Sequence, residues 1–439
     1  MRTSFAAAAG LAVYRAAGAL GAPFIVGHLK RRQAAGKEDA ARFEERLGHA
    51  SMPRPQGPLV WLHGASVGES LSALPLIEAL CETYPQWQML VTTGTVTSAA
   101  LMVARLPARA IHQYVPVDLG AAVRRFLDHW QPDLALWVES EFWPNLLIET
   151  ERRRIPRVLL NGRVSARSFA RWQGLRPVIE RLLGGFDLCL AQSPLHEDRL
   201  RAFAAPNVSC PGNLKFAAPP LPVDEAVFAR LSRAIGGRPC WVAASTHPGE
   251  EEMVGDAHRR LVGELPGLLS IIVPRHPARG PKIAKSLQDA GHAVALRSAG
   301  DKFPGTGGIY VADTLGELGL WCRLCGVVFV GGSLVSHGGQ NPLEPARLDS
   351  ALIFGPHMDN FAEIADGLRG GGAAVDCTDA GNFADVARRL IGGESERAEM
   401  AAAGRIYAAS QAEVLDRVLG ALRPYFTGAG AHGPPGTDT

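Results

Sequence analysis

The sequence predicts an α/β protein made of two doubly wound, Rossmann-like domains preceded by an apolar N-terminal segment. Three observations carry this. The chain has 439 residues, more than one ordinary core accommodates. From Leu59 onward, short apolar runs alternate with helical stretches, as in a parallel sheet covered by helices on both faces. The alternation then recurs after the Pro-rich stretch FAAPPLPVDE, Phe216–Glu225. The expected division is an anchor over 1–30, a first domain over 31–218, a second over 219–427 and a disordered tail over 428–439.

Composition bounds the class. Hydrophobic residues make up 47% and charged residues 20%, which excludes disordered and collagen-like chains. Lys plus Arg is 45 against 43 Asp plus Glu, so the net charge of +2 carries no signature of a nucleic-acid partner. Seven cysteines in this length do not form a disulfide framework, and the lone CxxC at Cys322 and Cys325 reads as reduced thiols.

The N-terminal run from Phe5 to Val26 is apolar apart from Arg15. Its seven strong hydrophobes, at about −0.5 kcal/mol each, nearly cancel one central Arg at about +3 kcal/mol. Spanning the membrane and lying on it both remain open on that sum. Lys30, Arg31, Arg32 and Lys37 follow the run and precede the first acid, Glu38, which suits an anionic membrane surface. An uncleaved anchor with the bulk of the protein on the cytoplasmic side is expected, against an Ala-rich packing helix. KEDAARFEERLG, residues 37–48, reads as a charged amphipathic helix.

The expected strands of the first series are LVWLHG, QMLVTTG, HQYVPV, LALWVES, RVLLNG and LCLAQS, with helices such as Leu71–Glu82 and Leu119–Trp130 between them. The second series is CWVAAS, LLSIIVP, AVALR, GIYVAD, GVVFVGG and ALIFG. Ligands on such sheets sit beyond the carboxyl ends of the strands, so two facing domains would place a cleft between them.

The strand ends carry the chemistry-bearing motifs. HGASVGES, His63–Ser70, puts small residues and Glu69 at a helix start. Glu69 there is either a carboxylate matched to the helix dipole or a general base. WVESEFWPN places Glu139 and Glu141 two apart at the end of an apolar strand, where carboxylates suggest a site. Lys215 in GNLKF lies at the joint between the two series, able to neutralise an anion or simply solvated. PRHPARG, Pro274–Gly280, sets Arg275 and His276 directly after a strand, an arrangement for gripping phosphate. DTLGELG, Asp313–Gly319, reads either as a helix start capped by Thr314, with Glu317 at the third position, or as a turn whose N–H groups bind phosphate. FVGGSLVSHGGQNPLEPARL, Phe329–Leu348, has two glycine turns able to wrap a nucleotide, and Glu344 is placed to accept from two ribose hydroxyls. There is no P-loop, no GxGxxG after a strand, no Asp-x-Asp pair and no HExxH. A group transfer without metal or cofactor, with Arg and N–H groups taking the leaving phosphate, fits this set.

HGASVGES, WVESEFWPN, LLNGRVSARSF, GNLKF, PRHPARG, FVGGSL and NPLEPA, in this order, resemble the bacterial 3-deoxy-D-manno-octulosonic acid (Kdo) transferase family. KEDAARFEERLG is similar to the family's element after its membrane anchor, and the resemblance runs from about residue 10 to about residue 420. It implies a GT-B glycosyltransferase fold, CMP-Kdo as donor and the lipid A precursor lipid IV-A as acceptor, in an inverting, metal-independent reaction at the cytoplasmic side of the inner membrane. By motif, Glu69 matches the general base, Glu139 or its neighbour Glu141 a supporting acid, and Lys215 a stabiliser of the transition state. Pro274 and Arg275, then Leu315, Gly316 and Glu317, then Asn341, Pro342, Leu343 and Glu344 match the CMP-contacting segments. Two other readings stay open: a GT-B enzyme using a UDP-sugar, as transferase or epimerase, and a non-catalytic nucleotide-binding membrane protein.

Overall fold

The computed structural model describes residues 2–217, 220–410 and 413–427. The chain divides into two compact units, Met1–Ala218 with Gln411–Thr439, and Pro219–Ser410. Among the described residues, each unit holds one seven-stranded parallel sheet.

In the first unit the strands are β1 (Leu59–His63), β2 (Gln88–Thr93), β3 (Ala110–Tyr114), β4 (Leu134–Val138), β5 (Arg157–Gly162), β6 (Leu188–Ala191) and β7 (Val208–Ser209). Their order is β3-β2-β1-β4-β5-β6-β7. The chain enters at β1, winds outward to β3 and returns to the other side of β1 at β4. The carboxyl ends of β1 and β4 therefore flank the point where the winding reverses, the usual place for a ligand crevice. Strands β1 and β4 are buried along their whole length, as helices on both faces require. Trp61 and Trp137 from these strands meet edge to face, with ring centroids 4.8 Å apart. The Trp61 indole N–H donates to Thr92 Oγ1 at 2.9 Å, which satisfies its polar atom inside the core.

The second unit repeats the plan with β8 (Cys240–Thr246), β9 (Leu269–Pro274), β10 (Val294–Leu296), β11 (Gly308–Val311), β12 (Val327–Val330), β13 (Ala351–Phe354) and β14 (Ala374–Asp376). The order β10-β11-β9-β8-β12-β13-β14 puts its reversal between β8 and β12. The seven cysteines are all free, and Cys322 and Cys325 are buried.

Four local expectations need correction. The segment 37–48 is not an amphipathic helix; only Phe43–Leu47 forms a short 3-10 turn. Its charges go into local caps and tertiary bonds instead. Asp39 accepts from the Ala41 and Arg42 amides, and buried Glu45 accepts from Arg42, Ser51 and the Tyr114 amide. The second unit ends at Ser410, not 427, because the helix Val414–Thr427 packs with the first unit. Phe426 there stacks on Tyr84 at 4.4 Å and meets Trp87 edge-on, while the Arg417 guanidinium donates to Pro211 O. The short edge strands β7 and β14 were not anticipated, since two or three residues carry no readable alternation. The N-terminal helix α1 runs Arg2–Ala34, past the expected end at 30, and Ala7, Leu11 and Leu29 are buried. The tail 428–439 lies outside the described residues.

Candidate functional site

In the first unit, the turn after β1 enters the helix Val67–Thr83. Ser66 caps that helix, accepting from the Glu69 amide at 3.3 Å. Glu69 answers with its carboxylate: Oε1 accepts from the Ser66 hydroxyl at 2.8 Å, and Oε2 accepts from the Ala65 amide at 2.7 Å. This is a capping box with its return bond shifted to the amide before the N-cap, and it keeps a carboxylate in the first turn, where the helix dipole favours one. Glu69 is nonetheless buried, and burial together with the nearby Glu139 and Glu141 carboxylates pushes its pKa up to about 7. A carboxylate poised near neutrality is the property a general base needs.

Glu139, directly after β4, sits at φ 61°, a left-handed backbone that a non-glycine residue adopts only when its surroundings hold it. Its amide donates to Leu160 O at 2.9 Å. Its carboxylate pairs with the Lys215 ammonium at 3.6 Å. Lys215 is held by the end of β5, where Asn161 Oδ1 accepts from the Leu214 amide at 3.0 Å. Glu141 is engaged differently: it accepts from the Trp143 indole at 2.5 Å, and burial raises its pKa. Between the two acids, Glu139 is thus the one paired with Lys215. Glu69, Glu139, Glu141 and Lys215, spread over 147 positions of sequence, meet at one end of one sheet.

A cavity of about 650 Å³ adjoins this cluster; Ala65 and Glu141 line it, as do Tyr14 and Leu29 of α1, with Arg46 and His63. His63 is fully buried, contacts Thr92 Oγ1 through Nδ1 at 3.0 Å, and leaves Nε2 without a partner. Burial lowers its pKa to about 4, so the ring is neutral at pH 7. A smaller cavity of about 340 Å³ shares Glu141 and Trp143 with the larger one and includes Arg163 and Ser168 of the RVSARSF motif, with Arg171 just beyond.

In the second unit, the expected segments all end on the carboxyl edge of the sheet. Pro274 is the last residue of β9, and Arg275 next to it has its amide bonded to Thr246 O while its side chain is exposed. Leu315 is 85% exposed and Gly316 has φ 82°. Of the two readings of DTLGELG, the helix start capped by Thr314 with Glu317 at the third position does not hold, because the helix starts only at Leu318. Glu317 is instead gripped by both arms of Arg297, at 2.6 and 3.0 Å, and by the Thr314 hydroxyl. Arg297 holds the Glu317 pKa below the usual range. Asn341 Oδ1 accepts from the Leu343 amide, and its Nδ2 donates to Glu344 Oε1 at 3.3 Å, so the side chain of Asn341 orients Glu344. Pro342 and Leu343 are buried beneath it.

Glu250 and His247 escaped the sequence reading. Glu250, in the helix after β8, is buried, and its carboxylate accepts from the amides of His247, Gly332, Ser333 and Leu334 at 2.7–3.1 Å. It binds the end of β8 to the glycine turn after β12. Gly331 in that turn must be glycine, since a Cβ would lie 2.4 Å from Ser245 O. His247 and His337 stack with ring centroids 3.8 Å apart, and the Gln340 amide nitrogen lies 2.9 Å from His247 Nε2. Burial, then His337, His276, Arg275 and Arg279, lowers the His247 pKa to about 4. The available signal was THPGEEE directly after β8, a His and three acids at a strand's carboxyl end.

The family model for 3-deoxy-D-manno-octulosonic-acid transferase (kdotransferase) matches residues 41–218. A 3-deoxy-D-manno-octulosonic acid transferase of Haemophilus influenzae is 33% identical over 401 residues, covering 88% of this chain and 92% of its own. That of Bordetella pertussis is 34% identical over 410 residues, covering 90% and 94%. A UDP-GlcNAc 2-epimerase of Neisseria meningitidis superposes with a TM-score of 0.59 at 13% identity, covering 83% of this chain and 99% of that one. The last match concerns the fold alone and bears out the GT-B expectation. With like identity running through nearly the whole length of both relatives, the chain belongs to the 3-deoxy-D-manno-octulosonic acid transferase family of glycosyltransferases.

Proposed function

We propose that this transferase moves Kdo from CMP-Kdo to a sugar hydroxyl of lipid IV-A, releasing CMP, with inversion and without a metal ion. The observation that carries the reading is the Glu69, Glu139 and Lys215 cluster on the carboxyl edge of the first sheet, with Glu69 poised near pH 7. Glu69 takes the proton of the acceptor hydroxyl as that oxygen attacks the anomeric carbon of Kdo. The bond from that carbon to the CMP phosphate breaks, and the electron pair leaves with CMP. Attack opposite the departing group inverts the centre. Lys215, set by Glu139, stabilises charge in the transition state.

The second unit supplies the nucleotide site. Arg275 and the N–H groups of the glycine turns meet the single phosphate, and Glu344, oriented by Asn341, takes the ribose hydroxyls. Leu315, Gly316, Glu317, Pro342 and Leu343 complete the contacts to CMP. His247 and His337 face the same edge as a donor pair for an anionic oxygen. Replacing either by Ala is expected to weaken CMP binding about tenfold by titration calorimetry, the loss of one hydrogen bond to a charged group. Unchanged affinity in both variants would remove the pair from the site.

In the first unit, the amphipathic cavity beside Ala65 suits a lipid-linked acceptor, and Arg163 and Arg171 suit its phosphates. The apolar α1 and the basic residues after it support a location at the cytoplasmic side of the inner membrane.

Incubation with labelled CMP-Kdo and lipid IV-A, read by mass, tests the whole reading; no product of added Kdo mass means the donor or acceptor is wrong. A UDP-sugar donor is separated by melting. CMP at about 100 times its Kd should stabilise the fold by about 2.7 kcal/mol. UDP at the same concentration should leave the melting temperature unchanged; the reverse pattern would favour the UDP reading.

A further inference from the structure

We propose that α1 lies in the plane of an anionic lipid surface, one side packed on the first unit and the other in the interfacial layer, and does not cross the membrane. The exposed side is apolar without interruption. Phe5 is 79% exposed, Val13 68%, Leu20 81% and Phe24 82%. Between residues 5 and 27 the single charged residue is Arg15, which is partly buried and paired with Glu149 at 3.2 Å.

The opposite side touches the folded unit at separate points along its length. Ala7, Leu11 and Leu29 are buried. The Tyr14 hydroxyl donates to Asp118 Oδ2 at 2.9 Å. Gly10 lies so close to Val178 that a Cβ there would sit 3.1 Å from its methyl. Arg32 donates to the buried Glu38 at 2.7 Å. At about 1.5 Å per residue, the contacts from Ala7 to Leu29 extend about 33 Å along the helix, no less than the roughly 30 Å of a bilayer's hydrocarbon core.

A helix tied at both ends of that length cannot enter the core alone while those contacts hold. If α1 crossed, it would draw in Asp118 and Glu149, together with the guanidinium groups of Arg124, Arg152 and Arg153 that surround Glu149 at 2.9–3.9 Å. Charges of that density do not reside in hydrocarbon. Releasing the helix would instead take the Tyr14 hydroxyl from Asp118 and the Arg15 guanidinium from Glu149. Lying flat violates neither constraint. The apolar face meets the acyl boundary, and the exposed Lys30, Arg31 and Lys37 at the end of the helix meet anionic headgroups. Trp143, 42% exposed, borders the same cavity as Tyr14 and Ile25, so the apolar surface continues onto the unit itself. One consequence rests on the acceptor proposed above: α1 forms a wall of the cavity next to Ala65, so a lipid-borne hydroxyl reaches Glu69 without leaving the surface layer.

The full chain carrying an N-terminal epitope tag, in sealed inside-out and right-side-out membrane vesicles, distinguishes the two arrangements. A flat α1 exposes the tag to protease on the same side as the two units. A tag protected on the side where the units are digested overturns the proposal, as does failure of the protein to sediment with vesicles containing phosphatidylglycerol. The single variants Phe5→Trp, Val13→Trp and Phe24→Trp, on the exposed face where folding is not at risk, give a second reading. Lipids brominated near the headgroup should quench all three alike, whereas quenching at Val13 well below that at Phe5 and Phe24 would mean a crossing helix. Neither readout uses substrate, so their failure leaves the transferase reading standing.

Discussion

Glu69→Gln is expected to lose about 10³-fold of kcat while binding CMP with the affinity of the parent chain. Gln keeps the size of the side chain and one acceptor for the Ala65 amide or the Ser66 hydroxyl, so the helix start survives. What it cannot do is take a proton from the incoming hydroxyl. CMP affinity is the control, because the nucleotide-contacting residues proposed here belong to the other unit. Turnover within about tenfold of the parent would leave Glu69 as a capping residue only and transfer the base role elsewhere.

The same variant makes a second, independent prediction. The Glu69 pKa rises from 4.5 to about 7 in the folded chain, chiefly through burial, then through Glu139. A folded value above the unfolded one means that the folded state holds the proton more tightly. Stability is therefore lost as pH rises from about 4.5 through about 7, on the order of 3 kcal/mol in all. Gln has no proton to lose. Glu69→Gln should match the parent near pH 5 and melt at a higher temperature near pH 8, a stability cost retained for function. Melting curves of both proteins across that range check it, and parallel curves would show that Glu69 is not perturbed. For the active parent, kcat/KM should rise with pH through about 7 as the carboxylate form fills.

What could be read from sequence, and what could not, divides along physical lines. β1, β4, β8 and β12 were legible because a strand covered on both faces is an unbroken apolar run. Their carboxyl ends then located Glu69, Glu139, Arg275 and the glycine turns. The choice between Glu139 and Glu141 was not legible: two positions apart on an extended strand they share a face, and only the left-handed turn at Glu139 separates them, one toward Lys215 and the other toward Trp143. KEDAARFEERLG has the charge pattern of a solvated helix, but buried Glu45 is claimed by the Tyr114 amide, 69 residues away, which no local pattern reports. For α1, apolarity was evident while the packed side was not. Two of its polar contacts are made by Tyr14 and Arg15, whose partners Asp118 and Glu149 are over 100 positions distant.

Glu250→Ala is expected to destabilise the second unit by about 3–5 kcal/mol and to weaken CMP binding at least 100-fold, although Glu250 itself need not touch the nucleotide. Its carboxylate is fully buried, and burial raises its pKa while the amides that it binds oppose the shift. Oε2 accepts from the His247 and Gly332 amides, and Oε1 accepts from those of Ser333 and Leu334. One side chain thus fixes the loop after β8 to the turn after β12, the two elements that carry the His247–His337 pair. Alanine would leave four amide donors without that acceptor and free the turn to move. Glu250→Gln separates charge from volume. Its oxygen can serve one pair of amides, but its NH₂ then confronts the other pair, donor against donor, so it should not restore CMP affinity. Calorimetry of CMP binding, with thermal unfolding of the same samples, reads both effects. If Glu250→Gln melts and binds like the parent, the loop is held by its glycines and its packing against β8, and the carboxylate has no part in positioning the nucleotide.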